Sequence, residues 1–161
     1  MGFLDRFLKA PNWGVHPEDH KRPAADVALR ILPAPERVYM PLSQHVGGAA
    51  RPVVVVGQKV LKGQLVAEAQ GNISAPIHAP VSGTVSAIGD VTARHPSGLP
   101  FKAITIDADG LDRWIETGVL VDPFAAAPEE VAKLAAQAGV VGLGGATFPS
   151  AVKFALGKRL K

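Results

Sequence analysis

A mainly β architecture is predicted: a small barrel or sandwich of short strands, preceded by an extended segment and followed by helices. Three observations predict it. Between residues 40 and 109, β-branched runs of a few residues are repeatedly ended by glycine. The 161 residues include 17 glycines and 14 prolines, which favours turns over long helices. Past residue 110 the apolar spacing changes to that of a helix, and a glycine-rich loop follows.

Composition bounds the rest. With 47% hydrophobic and 19% charged residues the chain is a folded one, long enough for one domain or a small domain and the start of another. There is no cysteine, which excludes disulfides, thiolate metal sites and cluster ligation by these residues. The formal charge is +3, and the basic residues are scattered until Lys153, Lys158, Arg159 and Lys161. A nucleic-acid partner would require a concentrated basic face with aromatics, and none is expected. The longest apolar run, around residues 53–56, is far short of the ~20 residues of a membrane span, so a cytoplasmic or peripheral location is expected.

Taken in order, residues 1–10 place Phe3, Leu4, Phe7 and Leu8 on one side of a short amphipathic helix. Two turns are unstable alone, so this face docks either on its own domain or on a membrane subunit or bilayer surface. Residues 11–40 are punctuated by Pro11, Pro17, Pro23, Pro33 and Pro35, which prevent a long helix. His16 and His20 lie four apart, but Pro17 interrupts them and no third ligand is evident, so no metal site is assigned.

In the β region, residues 53–56 read as a strand ended by Gly57, followed by short strands at 64–67, 77–81, 84–88 and 103–107. His78 and His45 read as hydrogen-bonded structural histidines, and His95 to Gly98 as a turn. Residues 107–112 lack the ligand spacing of a calcium loop and read as a strand-ending turn. Residues 128–138 read as a helix, with Pro128 at its first position, Gly139 just past its end, and Val131, Leu134, Ala135 and Ala138 on one face. A loop from Val141 to Pro149 then leads into a second helical start at Ser150.

The stretch from Val56 to Val66, followed by Ala75 to Val85, resembles the barrel-sandwich hybrid of biotinyl and lipoyl carrier domains. A carrier requires a lysine at its hairpin tip, to form the amide to the prosthetic group. The corresponding tip, residues 68–73, has none, so the module reads as a scaffold or docking domain.

Five blocks carry a second resemblance: residues 14–21, 41–47, 74–85 and 95–98, and Val140-Val-Gly-Leu-Gly-Gly-Ala-Thr-Phe-Pro149. In order and spacing they are similar to the N-terminal region of the RnfC family, a component of the Rnf (or Rsx) ion-translocating electron-transport complexes. The resemblance implies an N-terminal extension over 1–39, a barrel-sandwich hybrid over 40–110, and over 111–161 the incomplete helical start of an α/β domain. That last domain would be similar to the FMN- and NADH-binding flavoprotein subunit of respiratory complex I.

By that resemblance the complete subunit would pass hydride from NADH to FMN. Single electrons would then move through two 4Fe–4S clusters, linking NADH to a ferredoxin-type carrier and driving Na⁺ or H⁺ translocation by the membrane subunits. The partners would be the other subunits of the complex, and the location the cytoplasmic face of the bacterial inner membrane. This chain would be an N-terminal fragment without cluster ligands, inactive alone, and no catalytic residue is assigned in it.

The flavin loop of the family falls on Gly142, Gly144, Gly145, Ala146, Phe148 and Pro149, with Lys153 following. A glycine loop before a helix can cradle a phosphate on its amides, with Lys153 adding charge. Taken alone, such a loop is equally a simple turn. The competing reading is a non-catalytic interaction module that uses the barrel for docking.

Overall fold

The computed structural model describes residues 18, 20–92, 97–118, 122 and 124–156. The helix expected over residues 1–10, His16, His95 and the basic residues beyond Lys153 lie outside them. The chain forms two compact units, Met1–Leu32 and Pro33–Lys161.

In the first unit a single turn of helix, α1 (Arg22–Ala25), starts with Pro23 in its first turn. After it Leu29 and Ile31 are fully exposed. His20 lies 3.8 Å from Glu18 at the surface.

The second unit is built on two antiparallel sheets. Its strands are β1 (Arg37–Pro41), β2 (Arg51–Pro52), β3 (Lys59–Val60), β4 (Leu65–Glu68), β5 (Ile77–His78), β6 (Gly83–Thr92) and β7 (Pro100–Ala108). One sheet has the order β1-β7-β6-β3, the other β2-β4-β5. Their facing sides bury Leu42, Val54, Val60, Val66, Ile77, Val81, Val85, Ile104 and Ile106 in one core. This is the mainly β barrel-sandwich hybrid expected from the sequence, with short helices after it.

The strands differ from the expected ones in several places: β5 keeps only Ile77–His78 of the expected 77–81, and β7 runs from Pro100 to Ala108 rather than over 103–107. β1 begins at Arg37, inside the proline-punctuated stretch, because Arg37 to Pro41 pair with Asp107 to Ala103. Residues 53–56 are not a ladder strand. Only Arg51 and Pro52 pair with β4, and Val54 alone of the four valines is buried. The expected strand over 84–88 does not stop at Gly89, which pairs with Ala103, and the β6–β7 hairpin runs on to Thr92. Glycine punctuates only where the chain must turn, and here the partner strand holds it extended.

Register is adjusted by a bulge. Val85 faces Ile106 and Ala87 faces Thr105, so Ser86 is the extra residue. Gly83 is required by close approach: a β-carbon there would lie 2.9 Å from the Ala108 Cα.

The exit of β7 is tied down by a polar network. The buried Ser82 hydroxyl donates to Asp109 Oδ1 at 2.6 Å and accepts the Arg113 N–H at 3.0 Å. The Asp109 carboxylate also accepts the Leu111 N–H at 2.9 Å and the Arg113 guanidinium at 2.6 Å. Residues 113–115 then strap the β3–β4 turn. The Lys62 N–H donates to the Arg113 carbonyl, the Ile115 N–H donates to the Lys62 carbonyl, and Lys62 Nζ sits 2.7 Å from Asp112 and 4.7 Å from the Trp114 ring centre. Residues 107–112 are thus a strand-ending turn.

Two outcomes follow from this core. Ile104→Ala removes a fully buried side chain and is expected to cost about 2–5 kcal/mol in urea unfolding. The Ser82 hydroxyl and then Arg113 hold the Asp109 carboxyl down at about 2, below its unfolded value of about 3.9. The unfolded chain therefore binds the proton first as pH falls. The stability contributed by Asp109 is present above about pH 4 and is lost as pH drops toward 2. Asp109→Asn should flatten that part of the acid-unfolding curve.

Candidate functional site

The glycine loop sits between two short helices. The first, α2 (Pro128–Gln137), carries Pro128 at its start and Glu129 and Glu130 in its first turn, where they complement the helix dipole. Gly139 follows with φ +67, as a C-terminal cap demands. No residue of α2 is fully buried, and Val131 and Leu134 of its expected apolar face remain more than a third exposed. The second, α3 (Ser150–Leu156), follows Pro149, which is buried and bridges to Val141.

The loop between them closes on itself. The Gly142 N–H donates to the Phe148 carbonyl at 2.9 Å, and the Thr147 N–H to the Gly144 carbonyl at 3.0 Å. The Ser150 N–H is taken by the Val140 carbonyl at 2.9 Å. With seven residues and its leading amide already satisfied, α3 offers an anion less than a free helix terminus would. Among the described residues, the amides of Leu143, Gly144, Gly145 and Ala146 have no acceptor. Those four are consecutive and form the outer turn of the loop.

Of the residues singled out in the sequence, the fold brings Gly142, Phe148 and Lys153 together. Lys153 Nζ lies 5.8 Å from the Phe148 ring centre and 3.9 Å from where a Gly142 β-carbon would stand. Gly144 and Gly145 form the rim, where a β-carbon would meet nothing within 4 Å and would project into open space. Ala146 turns its carbonyl inward and accepts the Val46 N–H at 3.2 Å. Among the described residues no three His, Asp or Glu side chains converge on a metal-sized site.

Sequence reasoning missed the residues that hold the loop to the barrel. The Thr147 hydroxyl donates to the Gln44 carbonyl at 3.0 Å. Gly139 fits tightly over the barrel, where a β-carbon would lie 2.6 Å from the Pro76 carbonyl oxygen. Beside it a cleft of about 200 Å³ is lined by Met40, Gln44, His45, His78, Ala138 and Gly139. Burial pushes the His78 imidazole below its ordinary value, and the Gln137 backbone pulls the other way. His45 is buried and hydrogen-bonded through both ring nitrogens, to Ala75 at 3.0 Å and to the Val46 carbonyl at 3.2 Å. The Gly139 cap and the hydrogen-bonded histidines His45 and His78 were signalled in the sequence. The Thr147 clasp joins residues about a hundred positions apart.

A family model described as the RnfC barrel sandwich hybrid domain matches residues 10–111, more than half of the chain. The chain belongs to the RnfC family. Three relatives extend the similarity past the barrel, each named as the C component of an ion-translocating oxidoreductase complex. That of Rhodobacter capsulatus is 50% identical over 143 residues, covering 89% of this chain and 28% of the relative. That of Pseudomonas aeruginosa is 47% identical over 136 residues, covering 84% and 18%. That of Haemophilus influenzae is 41% identical over 154 residues, covering 93% and 23%. The chain therefore spans between about a fifth and somewhat over a quarter of the length of these relatives.

Gly139→Ala combines a positive φ with a clash against the Pro76 carbonyl. It should destabilise the packing of α2 on this RnfC-type barrel by about 1–3 kcal/mol. Faster hydrogen exchange in α2, with exchange in the β7 core unchanged, is the expected signature.

Proposed function

We propose that this chain serves in the RnfC component of an ion-translocating oxidoreductase, and that its glycine loop holds the phosphate end of FMN. The observation that carries the reading is the rim of the loop: two glycines facing open space, with the four amides of residues 143–146 unengaged among the described residues. An anion approaching that rim meets backbone N–H groups and no β-carbon at Gly144 or Gly145. The Lys153 ammonium lies close enough to Gly142 to neutralise part of the incoming charge. Phe148 holds that ammonium near the loop by a cation–π contact.

FMN, when bound, supplies the exchange between two-electron chemistry at a nicotinamide and one-electron chemistry at iron–sulfur carriers. The part of this chain is binding and orientation. It has no cysteine, so cysteine ligands of any 4Fe–4S cluster in the complete subunit would lie outside these residues. The NAD(H) site likewise requires groups beyond the loop. Among the described residues no helix is long and apolar enough to cross a membrane. The proposed placement is peripheral, on the cytoplasmic face of the bacterial inner membrane. The partners there would be the membrane subunits of the complex and a ferredoxin-type carrier.

A second reading, a docking module, is favoured by Val53, Val55 and Val56, which the barrel leaves 44–67% exposed. An NMR titration separates the two. On addition of FMN the amide resonances of residues 143–146 should shift and saturate, while riboflavin, which lacks the phosphate, should leave them in place. Gly145→Val should weaken the response at least about tenfold, because a branched side chain fills the rim. Equal responses to FMN and riboflavin, or none to either, would remove the phosphate-cradle reading and leave the docking module.

A further inference from the structure

We infer that Thr147 is a positioning residue for the glycine loop: its hydroxyl clasps the loop to the barrel and holds the four rim amides open. This deepens the flavin-phosphate reading and rests on it. Thr147 has φ +43, in the left-handed region. A β-branched residue enters that region at a cost, and glycine or asparagine would fit the turn with less strain. Something specific to threonine has to compensate.

The compensation is visible on both sides of the residue. Its N–H closes the turn on the Gly144 carbonyl at 3.0 Å, and its hydroxyl donates to the Gln44 carbonyl at 3.0 Å. Next to it, the Ala146 carbonyl accepts the Val46 N–H. Two consecutive loop residues thus grip one short barrel segment, residues 44–46.

That segment is itself fixed. The Gln44 side-chain amide donates to the Pro41 carbonyl at 3.0 Å, where β1 ends. The His45 ring bridges Ala75 and the Val46 carbonyl, with Nε2 accepting the Ala75 N–H and Nδ1–H donating to Val46. Two residues on, the Gly48 N–H donates to the Ile73 carbonyl at 2.9 Å. The grip therefore runs from the edge of the sheet through His45 and Val46 to the loop. With the Ala146 carbonyl and the Thr147 hydroxyl both drawn toward the barrel, the turn between Gly142 and Ala146 is left outermost. Without the hydroxyl the left-handed conformation loses its compensating bond, and the turn that carries the rim amides can relax.

The test uses Thr147→Val, which keeps the shape and branching but removes the donor, and Thr147→Ser, which keeps the donor. The first readout needs no ligand: hydrogen exchange of the Val46 and Thr147 amides. Thr147→Val should speed it about fivefold to tenfold, the loss of one modest hydrogen bond, and Thr147→Ser should restore it. Ile104 and Val66 in the core should be unaffected, which separates the clasp from general destabilisation. The second readout is FMN affinity by the same titration, expected to fall by a similar factor in Thr147→Val and to recover in Thr147→Ser. Unchanged exchange in Thr147→Val overturns the inference, and so does faster exchange with wild-type FMN affinity. If the wild-type chain shows no response to FMN, the flavin reading fails by itself and the exchange arm alone decides the clasp.

Discussion

The burial of β7 is the constraint on which the rest of the second unit depends. It lies between β1 and β6, and Ala103, Ile104 and Ile106 are fully excluded from water. Because a buried strand must satisfy every backbone group, it dictates the register of both neighbours. That register produces the bulge at Ser86, brings Gly83 against Ala108, and delivers Asp109 to the Ser82 hydroxyl. The strap at residues 113–115 follows, because the chain leaves that network beside the β3–β4 turn.

At the other end of the sandwich, the hairpin tip that bears a modified lysine in carrier domains has become a platform. Residue 73 is bonded to Gly48, and the Ser74 hydroxyl to the Gly48 carbonyl, so the tip is pressed onto the loop after β1. Ala69 and Asn72 of the tip, with the adjoining Ser74, line a cleft of about 180 Å³ together with Ala135, Val140, Pro149 and Val152. A carrier arm has to swing free. This one is tied to Gly48 through Ile73 and Ser74. The missing tip lysine excludes the carrier chemistry, and the tip lies instead beside the helices that flank the glycine loop.

On the proposed reading, the chain would contribute orientation more than reactivity. The loop combines open amides, one ammonium and no acidic side chain of its own between Val141 and Lys153. Such a surface suits an anion and lacks a general base or a nucleophile with a partner. A part of this kind is useful when the reacting group is carried by a cofactor and its electronics are set by other polypeptide.

Local sequence determined the character of each piece. Short β-branched runs marked a barrel, Pro128 and Gly139 bracketed α2, the missing tip lysine excluded a carrier, and the Gly-x-Gly-Gly run marked the loop. These are legible because propensity, proline geometry and positive φ are properties of a residue and its nearest neighbours. Strand limits were less legible. Gly89 looks like punctuation until Ala103 is paired with it, and Arg37 looks like linker until Asp107 faces it. What only the tertiary structure decided is how the loop is held: Thr147 on Gln44, Ala146 on Val46, and Gly139 on Pro76. Each joins residues far apart in the chain, and no periodicity encodes such a contact. It exists because two sheets buried a shared core and thereby placed one end of the sandwich beneath the helices.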